Sequence, residues 1–429
     1  MRSIAALIVA TGAAAGAVAL AGAGQPQPAP APDGGAAATL VARLDLARYR
    51  DMVRGLTAFG DRRQGTKRNQ DAVDWIEARL KSFGYTNTAR LRYEFPPATR
   101  GCGPSVPAPT TPPSGVRRRR PAPTPGVGSP TPTGGAVGRG PSNVGGSVMF
   151  GSIAHTGVNC DPMKQPDAAI RALDSEPVIV NWAEDVYATK IGTTHPDEMY
   201  IIGGHMDGHG YNQAANDDGS GTALVLELAR VFASPDVRTE RSIRFVLWNG
   251  EEEGLFGSRA YVQQRAALQG RQDPPGSGRY PEPKWLGMIQ HDMMMWDHGM
   301  PRPDGTLSPD QRPEADVNIE FQSTAKLADA AQKLAWLFKA ANEKYATDYP
   351  AQVGPHMTNT DSDPFKDLVP AISLRENERG AQIGAGWDPN WHQPTDVFTT
   401  YSDKDFRLGL NAAQTTAAAL AELTGASVK

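Results

Sequence analysis

The sequence predicts an α/β protein with a mixed, mainly parallel central sheet and helices on both faces. Short apolar segments rich in β-formers alternate with segments whose apolar residues recur every three or four positions. Histidines and acidic residues, which can bind metals or transfer protons, follow several of the apolar segments directly. The 429 residues are 39% hydrophobic and 21% charged, which is typical of a globular protein. A net charge of −4 gives no indication of a nucleic-acid partner.

The N-terminus has the pattern of an export signal. Residues 1–3 form a short basic stretch, residues 4–23 are small and apolar with one Thr, and residues 21–23 give an A-x-A cleavage site. A transmembrane anchor is the alternative, but the run is weakly apolar and helix-breaking residues follow it. We expect cleavage after residue 23, a Pro/Ala-rich linker over 24–38, and a periplasmic or secreted protein without stable membrane association.

Glycine and proline are concentrated in one stretch, residues 103–146. This composition cannot pack a core, and it predicts a low-complexity insertion in a single domain over 39–425. The basic run at 117–120 lies inside it and is typical of a solvated linker. Cys102 and Cys160 flank the stretch, and an oxidising compartment favours a disulfide between them over two free thiols. Two cysteines exclude a cysteine-rich metal site.

The first half of the chain begins with a helix predicted over 66–83. Its apolar residues keep helical spacing, and Gly84 follows it. Segments 91–95 and 178–189 alternate in polarity and are rich in β-formers, so strands are predicted there. The short apolar run at 199–202 ends at two glycines and predicts a further strand.

The second half alternates the two element types. Helices are predicted over 219–232, 257–268, 324–346 and 404–423, where apolar residues keep helical spacing. Apolar runs predict strands over 242–248, 285–289 and 370–374, and residues 269–284 form a Pro/Gly-rich loop. Alternation of this kind places helices on both faces of a mainly parallel sheet.

Five segments near the predicted strand ends carry side chains that could bind metal. They contain His205 with Asp207, Asp217 with Asp218, Glu251 to Glu253, Asp292, and His392 with Asp396. Each alone has a structural interpretation: a packed histidine, a helix N-cap or a solvated acidic turn. His209 forms a His-x3-His pair with His205, but the surrounding glycines argue against a helix there.

Taken together, two histidines and three carboxylates on separate loops fit a two-metal site. The mixed nitrogen and oxygen donors suit zinc. One further carboxylate beside the ligands could serve as a general base. Asp207 could accept the second N–H of His205, and Asp396 could do the same for His392.

The five segments resemble the motifs of the zinc-dependent exopeptidases that include bacterial leucyl aminopeptidases and plasma glutamate carboxypeptidase. That family shows His-x-Asp, Asn/Asp-Asp-x-x-Ser-Gly, Glu-Glu-x-Gly-Leu-x-Gly-Ser, an Asp after a strand, and Tyr-His-x-Pro-x-Asp. The same order occurs here, with Trp391 for the usual Tyr and Gly250 for the usual Ala. The resemblance runs from about residue 50 to 410 and implies a zinc-aminopeptidase-like three-layer sandwich.

The resemblance also implies roles for individual residues. It implies two zinc ions per chain, one held by His205, Asp217 and Asp292, the other by Asp217, Glu252 and His392. Asp217 would then bridge the two ions. Glu251 would be the general base for the water between them, and Asp207 would orient His205.

The implied activity is that of an aminopeptidase acting on peptide substrates. Three alternatives stay open at this point. One is a carboxypeptidase or dipeptidase of the same fold, another is a one-zinc acyltransferase resembling glutaminyl cyclase, and the third is a non-catalytic ectodomain of this fold. The complete set of five ligands argues against the last two.

Overall fold

The computed structural model describes residues 35–96, 147–150, 153–156, 158–296, 317–355, 357, 360–376 and 388–429. The predicted export signal and the predicted insertion up to residue 146 lie outside these ranges. Cys160 forms a disulfide bond. Its expected partner, Cys102, lies outside the described residues, so the pairing stays a prediction.

An eight-stranded sheet forms the centre of the molecule. Its strands are β1 (Ala89–Glu94), β4 (Trp182–Lys190), β5 (His195–His205), β7 (Arg241–Trp248), β8 (Lys284–His291), β9 (Val317–Phe321), β10 (Ala351–Gly354) and β11 (Ala371–Glu376). They lie in the order β1-β4-β7-β5-β8-β11-β9-β10. β5 pairs in parallel with β7 and β8, and the pairs β8–β11 and β9–β10 are also parallel. The pairs β1–β4, β4–β7 and β9–β11 are antiparallel. The predicted mixed, mainly parallel sheet is therefore confirmed.

Two short strand pairs lie outside this sheet. β2 (Ser147–Phe150) pairs with β3 (Ile153–Thr156), and β6 (Val237–Arg238) pairs with β12 (Ser427–Val428). Both pairs are antiparallel.

Helices cover both faces of the central sheet, as predicted. They are α1 (Gly35–Ala42), α2 (Leu46–Thr57), α3 (Lys67–Ser82), α4 (Ala168–Asp174), α5 (Gly219–Ala233), α6 (Phe256–Arg265), α7 (Ala328–Tyr345) and α8 (Asp403–Leu423). The larger core lies between the sheet and α2, α3, α5, α7 and α8, and the smaller one lies against α6 and Phe365. Side chains of a strand alternate between the faces. In β7, accordingly, Phe245 and Leu247 enter the larger core and Val246 and Trp248 the smaller one.

Most element boundaries agree with the sequence within three residues. β5 begins at His195 and α7 at Ala328, each four residues from the predicted start. The start of β4 and the end of the linker also differ. The strand predicted over 178–189 begins only at Trp182. The N–H groups of Ile179 and Val180 instead donate to the carbonyl of Gly65, which ties this segment to the loop before α3. α1 begins at Gly35, so residues 35–38 of the range assigned to the linker are helical.

The central strand β5 packs unusually close to α5, and this contact positions the site. An added Cβ on Gly204 would lie 2.7 Å from the carbonyl carbon of Gly221. Glycine at 204 therefore allows the helix N-terminus to approach the strand where His205 ends it. Among the described residues, no helix combines the length and apolarity needed to cross a membrane.

Candidate metal centre

The five predicted ligands come from five different segments at one edge of the sheet. His205 is the last residue of β5, Glu252 follows β7, and Asp292 follows β8. Asp217 precedes α5, and His392 lies in the loop before α8. Parallel strands present their carboxyl ends at a common edge, so these residues converge although they are distant in sequence. Their side chains are all 7% exposed or less.

Asp217 lies between the two histidines. Its Oδ1 is 3.2 Å from Nε2 of His205, and its Oδ2 is 3.0 Å from Nε2 of His392. Asp292 Oδ1 lies 3.7 Å from His205 Nε2, and Glu252 Oε2 lies 3.0 Å from His392 Nε2. The carboxylate of Asp217 thus faces two groups of potential ligand atoms at once, as a bridging ligand would.

A sixth residue, His209, joins one of these groups. The potential ligand atoms of His209, Glu252 and His392 all lie within 4.8 Å of one another, as do those of His205, Asp217 and Asp292. Sequence reasoning noted the His-x3-His spacing but did not include His209 in the site. Residues 206–214 form no helix, as expected. The turn they form brings His209 to His392, with ring centroids 4.2 Å apart.

Asp207 contacts His205 through a different group from the one predicted. The main-chain carbonyl of Asp207 lies 3.0 Å from Nδ1 of His205, whereas its carboxylate lies 3.8 Å away. The carboxylate instead accepts the N–H groups of Glu251 at 3.2 Å and Glu252 at 3.3 Å. Each oxygen of this carboxylate accepts one N–H group of the turn after β7, which holds Glu251 and Glu252 in place.

Asp396 likewise has a different partner from the one expected. Its carboxylate accepts the N–H groups of Asn216 at 2.8 Å and Asp217 at 3.2 Å, and the hydroxyl of Tyr401 donates to it. Within the described part of the chain, neither ring nitrogen of His392 makes a hydrogen bond. The predicted contact between Asp396 and the His392 ring is therefore wrong, because Asp396 fixes the main chain at Asp217.

Asp218, the second acid of the Asp217-Asp218 pair, has the structural role of a helix N-cap that was one interpretation of this segment. Asp218 caps α5 by accepting the N–H of Gly221 at 2.8 Å. It also accepts the N–H groups of His205 at 3.0 Å and Met293 at 3.1 Å. One buried carboxylate therefore joins the chain segments of three candidate ligands, while Asp217 remains directed at the histidines. The peptide bond between these two acids is cis.

Glu251 is buried beside the ligands but belongs to neither group of ligand atoms. Burial raises the pKa of its carboxyl well above the ordinary value; His205 opposes this rise, while Glu252 and Asp292 add to it. Burial and the charge of Asp217 raise the pKa of Glu252 to about 7, against the charge of His392. Glu251 is thus a carboxyl group with high proton affinity and no ligand position.

The site's negative charge is only partly balanced by protein cations. Burial opposes the charged His392 ring, but Glu252 and Asp217 outweigh it and raise the pKa of His392 to about 9. Burial would raise the pKa of Asp217, yet His205 and His392 hold it well below the ordinary value. In the group formed by His205, Asp217 and Asp292, the other carboxylate oxygen of Asp292, Oδ2, accepts a hydrogen bond from Arg375.

Several buried atoms of the site make no hydrogen bond within the described residues: Glu252 Oε1, Asp292 Oδ1, and both ring nitrogens of His209 and His392. Buried polar atoms without partners are rare in folded proteins. Here the atoms without partners are imidazole nitrogens and carboxylate oxygens that lie close together, in a site with more carboxylates than protein cations. This combination fits a divalent cation such as zinc.

Comparisons with known proteins agree with this chemistry. The sequence model of Peptidase family M28 matches residues 185–416 of the chain. Aminopeptidase YwaD of Bacillus subtilis strain 168 is 46% identical over 68 residues, which cover 16% of this chain and 14% of that protein. Carboxypeptidase Q of Xenopus laevis is 34% identical over 73 residues, which cover 17% of this chain and 16% of that protein. The alignments thus span less than a fifth of these relatives.

Among solved structures, the fold is similar to that of BSAP, a zinc aminopeptidase from Bacillus subtilis. The TM-score is 0.56 at 14% sequence identity, and the match covers 89% of this chain and 95% of that one. At this identity the similarity concerns the fold, and it confirms the predicted α/β architecture.

Proposed function

The chain belongs to Peptidase family M28, and from this membership we propose that it is a zinc-dependent exopeptidase, specifically an aminopeptidase. One observation supports the proposal: Asp217 Oδ1 lies 3.2 Å from His205 Nε2 and its Oδ2 lies 3.0 Å from His392 Nε2, so this carboxylate faces both groups of potential ligand atoms, while Glu251 belongs to neither group. His205, Asp217 and Asp292 would hold one zinc ion, and Asp217, Glu252 and His392 the other. When bound, such a pair supplies an activated water and polarises the scissile carbonyl.

The protein's own part in the reaction is proton transfer and orientation. Glu251 accepts a proton from the attacking water and donates it to the leaving amine. The carboxylate of Asp207 holds the N–H groups of Glu251 and Glu252, so the base and its neighbouring ligand keep a fixed relative position. The carbonyl of Asp207 sets the orientation of the His205 ring.

The charges around the ligands support removal of an N-terminal residue. Glu251 and Asp361 are buried acids beside the group formed by His205, Asp217 and Asp292, and neither belongs to that group. The nearby cations Arg63 and Arg375 already lie against Glu253 and Asp292. A substrate's α-ammonium group is thus better matched to this surrounding than an α-carboxylate.

Metal analysis followed by a substrate panel tests the proposal. The purified protein should contain about two zinc ions per chain. It should hydrolyse aminoacyl amides with a free amino group and lose this activity when the amino group is acetylated. Preferential release of C-terminal residues from blocked peptides would favour a carboxypeptidase, and cyclisation of N-terminal glutamine an acyltransferase. A protein that binds no zinc would contradict the metallopeptidase proposal.

A further inference from the structure

We propose that His209 is a fourth protein ligand of the second metal position, together with Asp217, Glu252 and His392. The inference rests on the proposed function, because it requires that a metal ion binds there. The motif pattern of the sequence assigns only three ligands to this position.

The environment of the His209 ring is the first argument. The residue is 6% exposed, and neither ring nitrogen makes a hydrogen bond within the described residues. Its Nε2 lies 3.1 Å from Oε2 of Glu252, yet the atoms are not aligned for a hydrogen bond. Ligand atoms that converge on a common ion are close without pointing at one another, and His392 shows the same relation to Glu252.

The turn that carries His209 is built against the turn that carries His392. The side-chain amide of Asn212 donates to the carbonyls of His209 and Gln393, each at 3.0 Å. Asn159 donates through its side chain to the carbonyl of Gly210 and through its main chain to that of His392. Both asparagines are buried. The two histidines are therefore held side by side by four hydrogen bonds from two residues.

Glycine at position 210 makes this approach possible. Its φ is +116°, and an added Cβ would lie 2.6 Å from the carbonyl oxygen of His392. Any side chain at this position would push the two turns apart. Gly210, one of the glycines that argue against a helix here, thus allows the close approach of the two turns that carry His209 and His392.

The two metal positions would then differ in their protein ligands. The first has one imidazole and two carboxylates, and the second has two imidazoles and two carboxylates. Four protein donors are typical of a closed zinc site, whereas three leave a position open. The second ion would be the more firmly held, and the first the one with a free coordination position.

X-ray absorption at the zinc edge tests the assignment on the full chain. The wild-type protein loaded with zinc should show three imidazoles for every two ions. In His209→Gln the count should fall to two imidazoles. The affinity of one position, measured by competition with a chelating dye, should fall by more than the roughly 10–100-fold that loss of an outer partner causes. His195→Gln, an exposed histidine at the start of β5, is the matched control and should change neither quantity.

The outcomes separate this inference from the proposed function. Two zinc ions with only two imidazoles in the wild-type protein would overturn the role of His209 and leave the two-zinc peptidase intact. Unchanged zinc affinity in folded His209→Gln would do the same. Absence of zinc binding by the wild-type protein would overturn both. If His209→Gln does not fold, the imidazole count of the wild-type protein still decides.

Discussion

Glu251 and Glu252 are adjacent in sequence and differ in what surrounds them. Glu252 Oε2 faces two histidines, whereas Glu251 contributes to neither group of ligand atoms. Glu251→Gln should therefore keep about two zinc ions per chain and lose roughly a thousandfold or more in kcat. Glu252→Gln should weaken zinc binding at one position and recover part of its activity in excess zinc. Zinc content and kcat of both variants provide the measurement.

Each of these variants is the control for the other, because both substitutions are nearly isosteric and lie in one turn. Loss of zinc from Glu251→Gln would show that this residue is a ligand. Near-normal kcat in that variant would show that it is not the base.

Arg375 leads to a prediction about stability. Its guanidinium is fully buried and donates to Asp292, so its removal leaves a buried carboxylate without that partner. Arg375→Met should lower the free energy of unfolding by about 3–5 kcal/mol in the presence of a chelator. Zinc should reduce the loss, because a bound cation compensates the charge of Asp292. Urea unfolding with and without zinc measures both values.

The buried pair Arg244–Glu282, with an N–O distance of 2.5 Å, offers the matched comparison. This pair lies on the face of the sheet that carries the smaller core, away from the candidate ligands. Arg244→Met should therefore lower the free energy of unfolding by the same amount with and without zinc. An equal loss for Arg375→Met in both conditions would contradict a link between Arg375 and the metal.

Among the secondary-structure elements, the contact between β5 and α5 positions His205, a candidate ligand. An alanine at 204 would place its Cβ 2.7 Å from the carbonyl carbon and 2.9 Å from the carbonyl oxygen of Gly221, both main-chain atoms. Overpacking of this kind destabilises by about 1–3 kcal/mol. Gly204→Ala should therefore lower the free energy of unfolding and also the zinc affinity, since the displaced residue precedes His205. Urea unfolding and zinc titration measure the two effects.

Gly354→Ala in β10 is the control for this prediction. Its added Cβ would meet Oδ1 of Asn318 at 3.3 Å, a side-chain atom that can move. We expect little change in stability and none in zinc affinity. If Gly204→Ala behaves in the same way, the strand–helix contact does not position His205.

At the level of the whole chain, the residues of the candidate site are separate in sequence from the Gly/Pro-rich stretch. They lie between positions 205 and 396, and β1 and β4 pair directly although the stretch intervenes in sequence. A deletion of residues 104–145 retains both cysteines and should leave kcat/KM nearly unchanged. The reason is composition, since such a segment cannot bury enough apolar surface to offset the entropy of ordering. A large loss of kcat/KM with normal zinc content and circular dichroism would show that the segment contributes to the site.

Local patterns in the sequence were sufficient for most of the fold and for the ligand segments. α3 is bounded by Thr66 and Phe83 as predicted, because a cap and a glycine are local signals. The predicted elements do not include the helices α1, α2 and α4 or the strands β2, β3, β6, β9, β10 and β12. β10 is only four residues long, and the seven-residue α4 is also short, so neither carries enough periodicity to be recognised.

The α/β class and the order of the five candidate ligand segments follow from local sequence patterns, since strand ends and glycine-bounded turns can be read from neighbouring residues. Three features follow only from the folded chain: which group of Asp207 faces His205, which main-chain groups Asp396 supports, and where His209 lies. Each of these contacts joins a side chain to a main-chain group or to another side chain. The contacts lie in turns, which have no regular periodicity in sequence. The position of His209 depends on how Asn159 and Asn212 hold the turns of His209 and His392 together, and no local pattern encodes the distance between those turns.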